Sequence, residues 1–409
     1  MESSKSVTRI GLDCHRTFSL ATARDAQCKV VWRQRLGHAD RIGLREKLSK
    51  WPAGTPVVLE GTFGWGWVCD ELAACRLDPH LANSRKVSAW REARGMAKSN
   101  KIDADLLSEL WGEQTRWWEV WLAPPEVRDR REWLRYRMGL VKVQTQIKNR
   151  IHATLHRHGI INEQSDLFGV AGQRMLAQLV NGDEEAGTSP LRAAARQTLK
   201  GQLALLAQVR RLIAQVTREF RRKLCKCDEG QFLTSLPGVS WILGYTILAE
   251  VGDFARFKNA RHLLSYSLLA PVADDSGEDG EDGRPPPGRR LGQAGRQTLQ
   301  WAWIEAARGA VRKSARFRDI FNRRTDHGKR DRGRGYITVA NQLCRVAYSV
   351  CTKRVNYTEV PPPRPGIERQ QQRQGTAAET SSRPGTGQPD VAMAAAAVAD
   401  GNVGRLLQV

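Results

Sequence analysis

The chain has 409 residues, 41% of them hydrophobic, enough length for two or three domains and enough apolar content for real cores. Lys and Arg total 65 against 43 Asp and Glu, a formal charge of +22, so the expected partner is a polyanion, nucleic acid by default. The charge is interleaved with Trp and aliphatic residues, which argues against a ribosomal-type or membrane-surface tail, and no run nears the roughly 18 apolar residues of a membrane helix.

In chain order, Val7–Leu12, Phe18–Ala23 and Lys29–Gln34 read as an antiparallel meander. A helix is predicted from about Ala39 to Trp51, with Leu44 and Leu48 on one face. Thr55–Leu59 is a β-branched strand, and Gly61–Gly66 is a turn into a helix through Leu72 and Ala74. Leu77–Leu81 is a further strand, and Ser84 through Leu110 reads as one basic helical run. The sum is a mixed α/β sheet. Trp117, Trp118 and Trp121 are expected in its core.

Pro124-Pro125 marks a boundary and a helix start. One long helix is predicted from Glu126 to about His158, where Leu140, Val143, Ile147, Ile151 and Leu155 step by three or four residues. Asn181–Pro190 reads as a polar loop, and a second long helix carries Leu199, Leu203, Leu206, Val209, Ile213, Val216 and Phe220. Two such helices suggest a coiled-coil or bundle arm. His152 and His156 are four apart but lack the Glu of a zinc motif, so a solvated or RNA-facing histidine face is expected.

Leu236-Pro237-Gly238-Val239-Ser240 then sits between helical segments, as in a helix–hairpin–helix. Lys258–Leu269, Thr298–Lys313 and Ile337–Thr352 read as helices, and Asp274–Arg289 as a loop of Gly, Pro and acids. After Val360 the composition turns to Pro, Gln, Gly and Ala, which predicts a disordered tail. The N-terminus lacks a signal-peptide core. The eight cysteines are scattered; Cys14, Cys28, Cys69 and Cys75 are expected to pack as small hydrophobes, and Cys225 and Cys227 lack a second pair at zinc spacing. A cytoplasmic location without membrane contact is expected.

Three acids stand out. Asp13 and Glu60 each end an apolar run that reads as a buried strand, and Asp103 opens a probable helix. Buried charge needs a partner or a metal, and oxygen ligands suit Mg²⁺, so the three could share a cation for phosphate chemistry. The plainer alternative is that each acid caps a turn or pairs with an arginine. Position 100 shares a helical face with Asp103 and is the natural place for a fourth acid, but holds Asn100. Its carbonyl could ligate without adding charge; Asp105 points elsewhere unless the helix starts later. Ser276, before Gly277 in the acidic loop, is a candidate nucleophile that would need activation, against the plainer reading of a turn serine.

Together these segments resemble the bacterial DEDD insertion-sequence transposases, over about residues 7 to 355. Gly11-Leu12-Asp13, Leu59-Glu60-Gly61 and Lys101-Ile102-Asp103-Ala104 look like the family's first, second and fourth acids. Lys148-Asn149-Arg150-Ile151-His152 looks like its first coiled-coil helix. Leu236-Pro237-Gly238-Val239, Ala270-Pro271, Ser276-Gly277, Gly295-Arg296 and Ala306-Ala307 look like its C-terminal domain in order. The resemblance implies an RNase H-like (RuvC-like) α/β domain over 1–122, a coiled-coil arm over 123–227, a mostly α transposase domain over 228–357 and a disordered tail over 358–409. It implies a recombinase in which Ser276 attacks the DNA backbone while Asp13, Glu60 and Asp103 hold Mg²⁺, with Asn100 beside them. It implies a structured bridge RNA pairing with donor and target DNA, and a homo-tetramer whose sites draw on different protomers. Asn100 departs from the family's usual Asp: an Asn carbonyl suffices, or Asp105 takes part, or the enzyme is impaired, and the first is the favoured reading. The competing readings are an Mg²⁺-dependent junction nuclease and a catalytically impaired nucleic-acid-binding relative.

Overall fold

The computed structural model describes residues 7–62, 64–113, 115–182, 187, 189–272, 290–291 and 295–359. The expected nucleophile Ser276 and residues 360–409 of the expected disordered tail over 358–409 lie outside the described residues. The chain divides into two compact units, Met1–Arg128 and one beginning at Asp129.

In the first unit, β1 (Arg9–Cys14), β2 (Phe18–Arg24) and β3 (Val30–Gly37) form the predicted antiparallel meander. Helix α1 (Arg41–Leu48) starts at Asp40, whose carboxylate accepts from the Ile42 and Gly43 amides, and it buries Leu44 and Leu48 as predicted. Then come β4 (Pro56–Glu60), α2 (Trp65–Ala74) and β5 (Asp78–Ala82), with β4 parallel to both β1 and β5. The predicted single helix from Ser84 to Leu110 is two: α3 (Ser84–Ala93) and α4 (Asn100–Leu110). The break falls where Gly95 adopts φ +62°, which ends α3, and Ser99 caps α4 through the Ile102 amide. The two-residue strand β6 (Glu119–Val120) pairs with β5, an element too short to leave a period in the sequence. The sheet order is β3-β2-β1-β4-β5-β6. Trp118 is fully buried and donates to the Leu110 carbonyl. Cys69 is buried, but Cys28 is exposed at a turn with φ +67°, so it does not pack as a small hydrophobe.

Helices α5 (Pro125–Arg157) and α7 (Ala193–Cys225) are 33 residues each, about 50 Å long at 1.5 Å per residue. Between them α6 (Val170–Asn181) ends where the polar loop was expected to begin. Ile147, Ile151 and Leu155 share one core with Leu176 of α6 and with Leu199, Leu206 and Val209 of α7. Val143 of the predicted stripe is instead exposed. A second core gathers Val216 and Phe220 with α8 (Asp228–Ser235), α9 (Trp241–Val251), α10 (Ala260–Tyr266), α11 (Gln297–Lys313), α12 (Ala315–Thr325) and α13 (Arg332–Lys353). The backbones of β7 (Pro271–Val272) and β8 (Arg290–Leu291) pair antiparallel. Among the described residues no helix is long and apolar enough to cross a membrane.

Candidate acidic site

The register of the sheet places the first two acids. Leu12 pairs with Leu59 in the parallel β1–β4 ladder, so Asp13 and Glu60, the next residue on each strand, stand side by side at the carboxyl ends. Helix α4 brings the third. A Cβ at Gly11 would lie 2.2 Å from both the Ala104 carbonyl and the Ser108 amide, so only glycine lets α4 lie directly on β1. Arg24 fixes α4 lengthwise: Nε donates to Ser108 Oγ at 2.7 Å and Nη2 to Glu109 Oε1 at 2.8 Å. Asp103 lies buried on that helix, and Asn100, three residues earlier at its first turn, is exposed.

The three acids act on one another. The Asp13 carboxyl is held above the usual carboxylate range by burial, opposed by His15, with the Asp103 charge adding to the rise. Burial likewise raises Glu60, and the charges of Asp103 and Asp13 raise it further, while Ser84 and Arg91 oppose the shift. Two of the acids have hydrogen-bonded partners. His15 Nε2 lies 2.9 Å from Asp13 Oδ2, and Arg91 Nη1 donates to Asp103 Oδ1 at 2.9 Å. Arg91 Nη2 also donates to Ser88 Oγ at 3.1 Å.

Asp105 is elsewhere. It accepts from Arg33 Nε and Nη2 at 3.0 and 2.8 Å and from Thr22 Oγ1 at 2.8 Å. Burial pushes against ionisation there, but these donors outweigh it and hold the carboxyl below its usual range. Asp105 therefore locks α4 to the meander, and the reading in which it replaces a fourth acid has no geometric support.

The donor set suits a hard divalent cation in kind: oxygen ligands, partly buried, whose mutual repulsion a cation would relieve. It is not closed as it stands. Among the described residues no three His, Cys, Asp or Glu side chains converge tightly enough to hold a metal. Two of the three carboxylates are engaged elsewhere, Asp103 with Arg91 and Asp13 with His15.

His15, Ser84, Ser88 and Arg91 were not singled out from sequence. A signal existed: positions 84, 88 and 91 are spaced i, i+4, i+7 and share one face of a helix. Basic residues around them masked that face as a solvated one. In the second unit, the Pro-Gly turn between α8 and α9 seats on α11. Gly238 has φ +84°, and a Cβ there would lie 2.2 Å from the Ala306 carbonyl. His152 is exposed and meets Phe168 edge-on, 5.4 Å between ring centres, in keeping with an open histidine face.

Two family models match the chain. One, described as a transposase of DEDD type, matches residues 10–160, and one described as the transposase IS116/IS110/IS902 family matches residues 230–322. The chain is 27% identical over 146 residues to the insertion element IS116 uncharacterized 44.8 kDa protein of Streptomyces clavuligerus, covering 36% of this chain and 35% of that protein. It is 38% identical over 104 residues to the mini-circle putative transposase for IS117 of Streptomyces coelicolor, covering 24% of this chain and 23% of that one. The matched stretches thus span about a third or less of either relative's length.

Proposed function

The chain belongs to the IS116/IS110/IS902 insertion-sequence transposase family, and we propose on that premise that it cleaves and rejoins DNA strands to mobilise its element. The observation that carries the reading is the pairing of Leu12 with Leu59, which sets Asp13 beside Glu60, together with the charge of Asp103 felt by both. The meander followed by parallel β4 and β5 supports an RNase H-like reading of the sheet. In this reading Asp13, Glu60 and Asp103, with Asn100 at the margin, hold Mg²⁺. The bound cation would supply charge neutralisation at the scissile phosphate and orient it for displacement. The acids' part is to fix that position. Arg24, Asp105 and Gly11 keep α4, and with it Asp103, against the strand ends.

Ser276 is the proposed nucleophile. Its Oγ forms a bond to phosphorus, the phosphorus–oxygen bond of the DNA backbone breaks, and the departing sugar oxygen takes up a proton. Rejoining reverses these changes with a hydroxyl from another strand. DNA is the substrate; a structured guide RNA, a tetramer and a helical arm formed by α5 and α7 complete the reading, supported by the chain's +22 charge. Ser276→Ala is expected to abolish covalent protein–DNA adducts, visible as slowed bands in denaturing gels, without loss of fold. Adducts that persist in this variant sink the reading, and Mg²⁺-dependent cleavage that never leaves protein on DNA turns it into a hydrolytic nuclease.

A further inference from the structure

Helix α3 presents one polar face to the acids. Ser84 lowers the proton affinity of Glu60, Ser88 Oγ accepts from Arg91 Nη2, and Arg91 Nη1 donates to Asp103. The Arg91 and Asp103 side chains are 12% and 11% exposed, so the pair is shielded and its attraction is little screened. Arg91 also acts on Glu60, lowering its proton affinity. A cation seeking Asp103 must therefore compete with a guanidinium already seated there.

Charge counting sharpens the point. Three carboxylates and one guanidinium sum to −2, the complement of one divalent ion. An Asp at position 100 would make the sum −3. Once a divalent ion took Asp103, Arg91 would lose the carboxylate oxygen it now donates to, and the guanidinium would be left without that hydrogen-bond acceptor in a shielded position. The charge that could then satisfy it is a phosphodiester, and a guanidinium fork matches two phosphate oxygens in a way an ammonium does not.

Building on the metal-holding role of Asp13, Glu60 and Asp103, we propose that Arg91 is a substrate-contacting residue that releases Asp103 to the divalent cation and takes a DNA phosphate in exchange. Cation loading and nucleic-acid binding are thereby coupled. Without nucleic acid, Arg91 keeps the cation out; with it, the guanidinium has somewhere else to go.

The test uses the full-length, metal-free protein, with Mn²⁺ as the probe and free Mn²⁺ followed by its paramagnetic resonance. In the absence of nucleic acid, Arg91→Gln is expected to bind Mn²⁺ about tenfold more tightly than the unaltered chain, because it leaves a shielded carboxylate without its cation. Unchanged or weaker binding overturns the proposal. Asp103→Asn is the companion. If, combined with Arg91→Gln, it leaves the tightened Mn²⁺ binding of that variant untouched, the metal reading of the acids is at fault; if it weakens binding there while Arg91→Gln alone has no effect, only the role of Arg91 is. Should Arg91→Gln lose its fold, Ser88→Ala loosens the same guanidinium without changing charge and is expected to tighten Mn²⁺ binding in the same assay; no tightening overturns the proposal. Binding of a duplex oligonucleotide with Mn²⁺ present reads the second half: the salt dependence of Arg91→Gln is expected to fall by about one unit of slope. An unchanged slope rules out the phosphate contact.

Discussion

Asp13 and Glu60 sit in a folded environment that favours their protonated forms, which is a strain on stability at the position proposed to hold a cation. Both carboxyls bind protons more tightly in the folded state than in the unfolded chain. Their contribution to stability is therefore full below the ordinary carboxylate range and is lost as pH rises through their raised range. Asp105, held below the usual range, works the other way: its contribution is present above that range and is lost in acid. Glu60→Gln isolates the first effect. In metal-free protein at neutral pH it is expected to raise the melting temperature, by about 3 °C if the relief reaches ~1 kcal/mol, and the gain should shrink as pH falls. A lowered melting temperature at neutral pH would contradict the repulsion. The acids were legible in the sequence because each closes an apolar run. Their partners were not, because His15, Ser84 and Arg91 become partners only through the register of β1 against β4 and the packing of α3.

Helix α4 meets β1 backbone to side-chain-less backbone, and the sequence Gly11-Leu12-Asp13 is what allows it. Gly11→Ala puts a methyl group 2.2 Å from two backbone atoms that cannot swing aside. The expected cost is about 2 kcal/mol or more from overpacking, read as a shifted midpoint in denaturant unfolding, and α4 must also move off the strand, which carries Asp103 away from Asp13. Weakened divalent-cation binding should accompany the lost stability. A variant as stable as the parent would mean that the contact is looser than it stands. The long helices were legible because their apolar residues keep step over many turns. Helices α6 and α12 went unread because each offers only about three turns of that stepping, with Leu176 and Leu179 buried in one and Phe317 and Phe321 in the other. The break between α3 and α4 went unread although Gly95 and the Ser99 cap both mark it.

At the scale of the whole molecule, most of the excess of 22 positive charges lies in the chain from Asp129 on, and little of it in the tail after Val360. Such a chain should retain nucleic acid through purification at low salt and release it steeply as salt rises. Sequencing what copurifies is the measurement: one RNA of discrete length is expected, and a heterogeneous mixture would count against guidance. Pro124-Pro125 lies four residues before the division between the two units at Asp129, whereas the core shared by α8 to α13 was not visible in the sequence, since helices that are buried nearly all round, such as α9 with Leu243 to Val251 all buried, show no polar face to orient them. The seating of α4 on Gly11 also bears on how the protein comes into being. The first two acids leave the ribosome about 50 residues before α4 is complete, an interval of roughly 3–10 s at ordinary rates of synthesis. Until α4 closes that long loop onto β1, the third carboxylate is elsewhere and the site does not exist. A chain stopped before Leu110 would thus lack the three-acid cluster altogether.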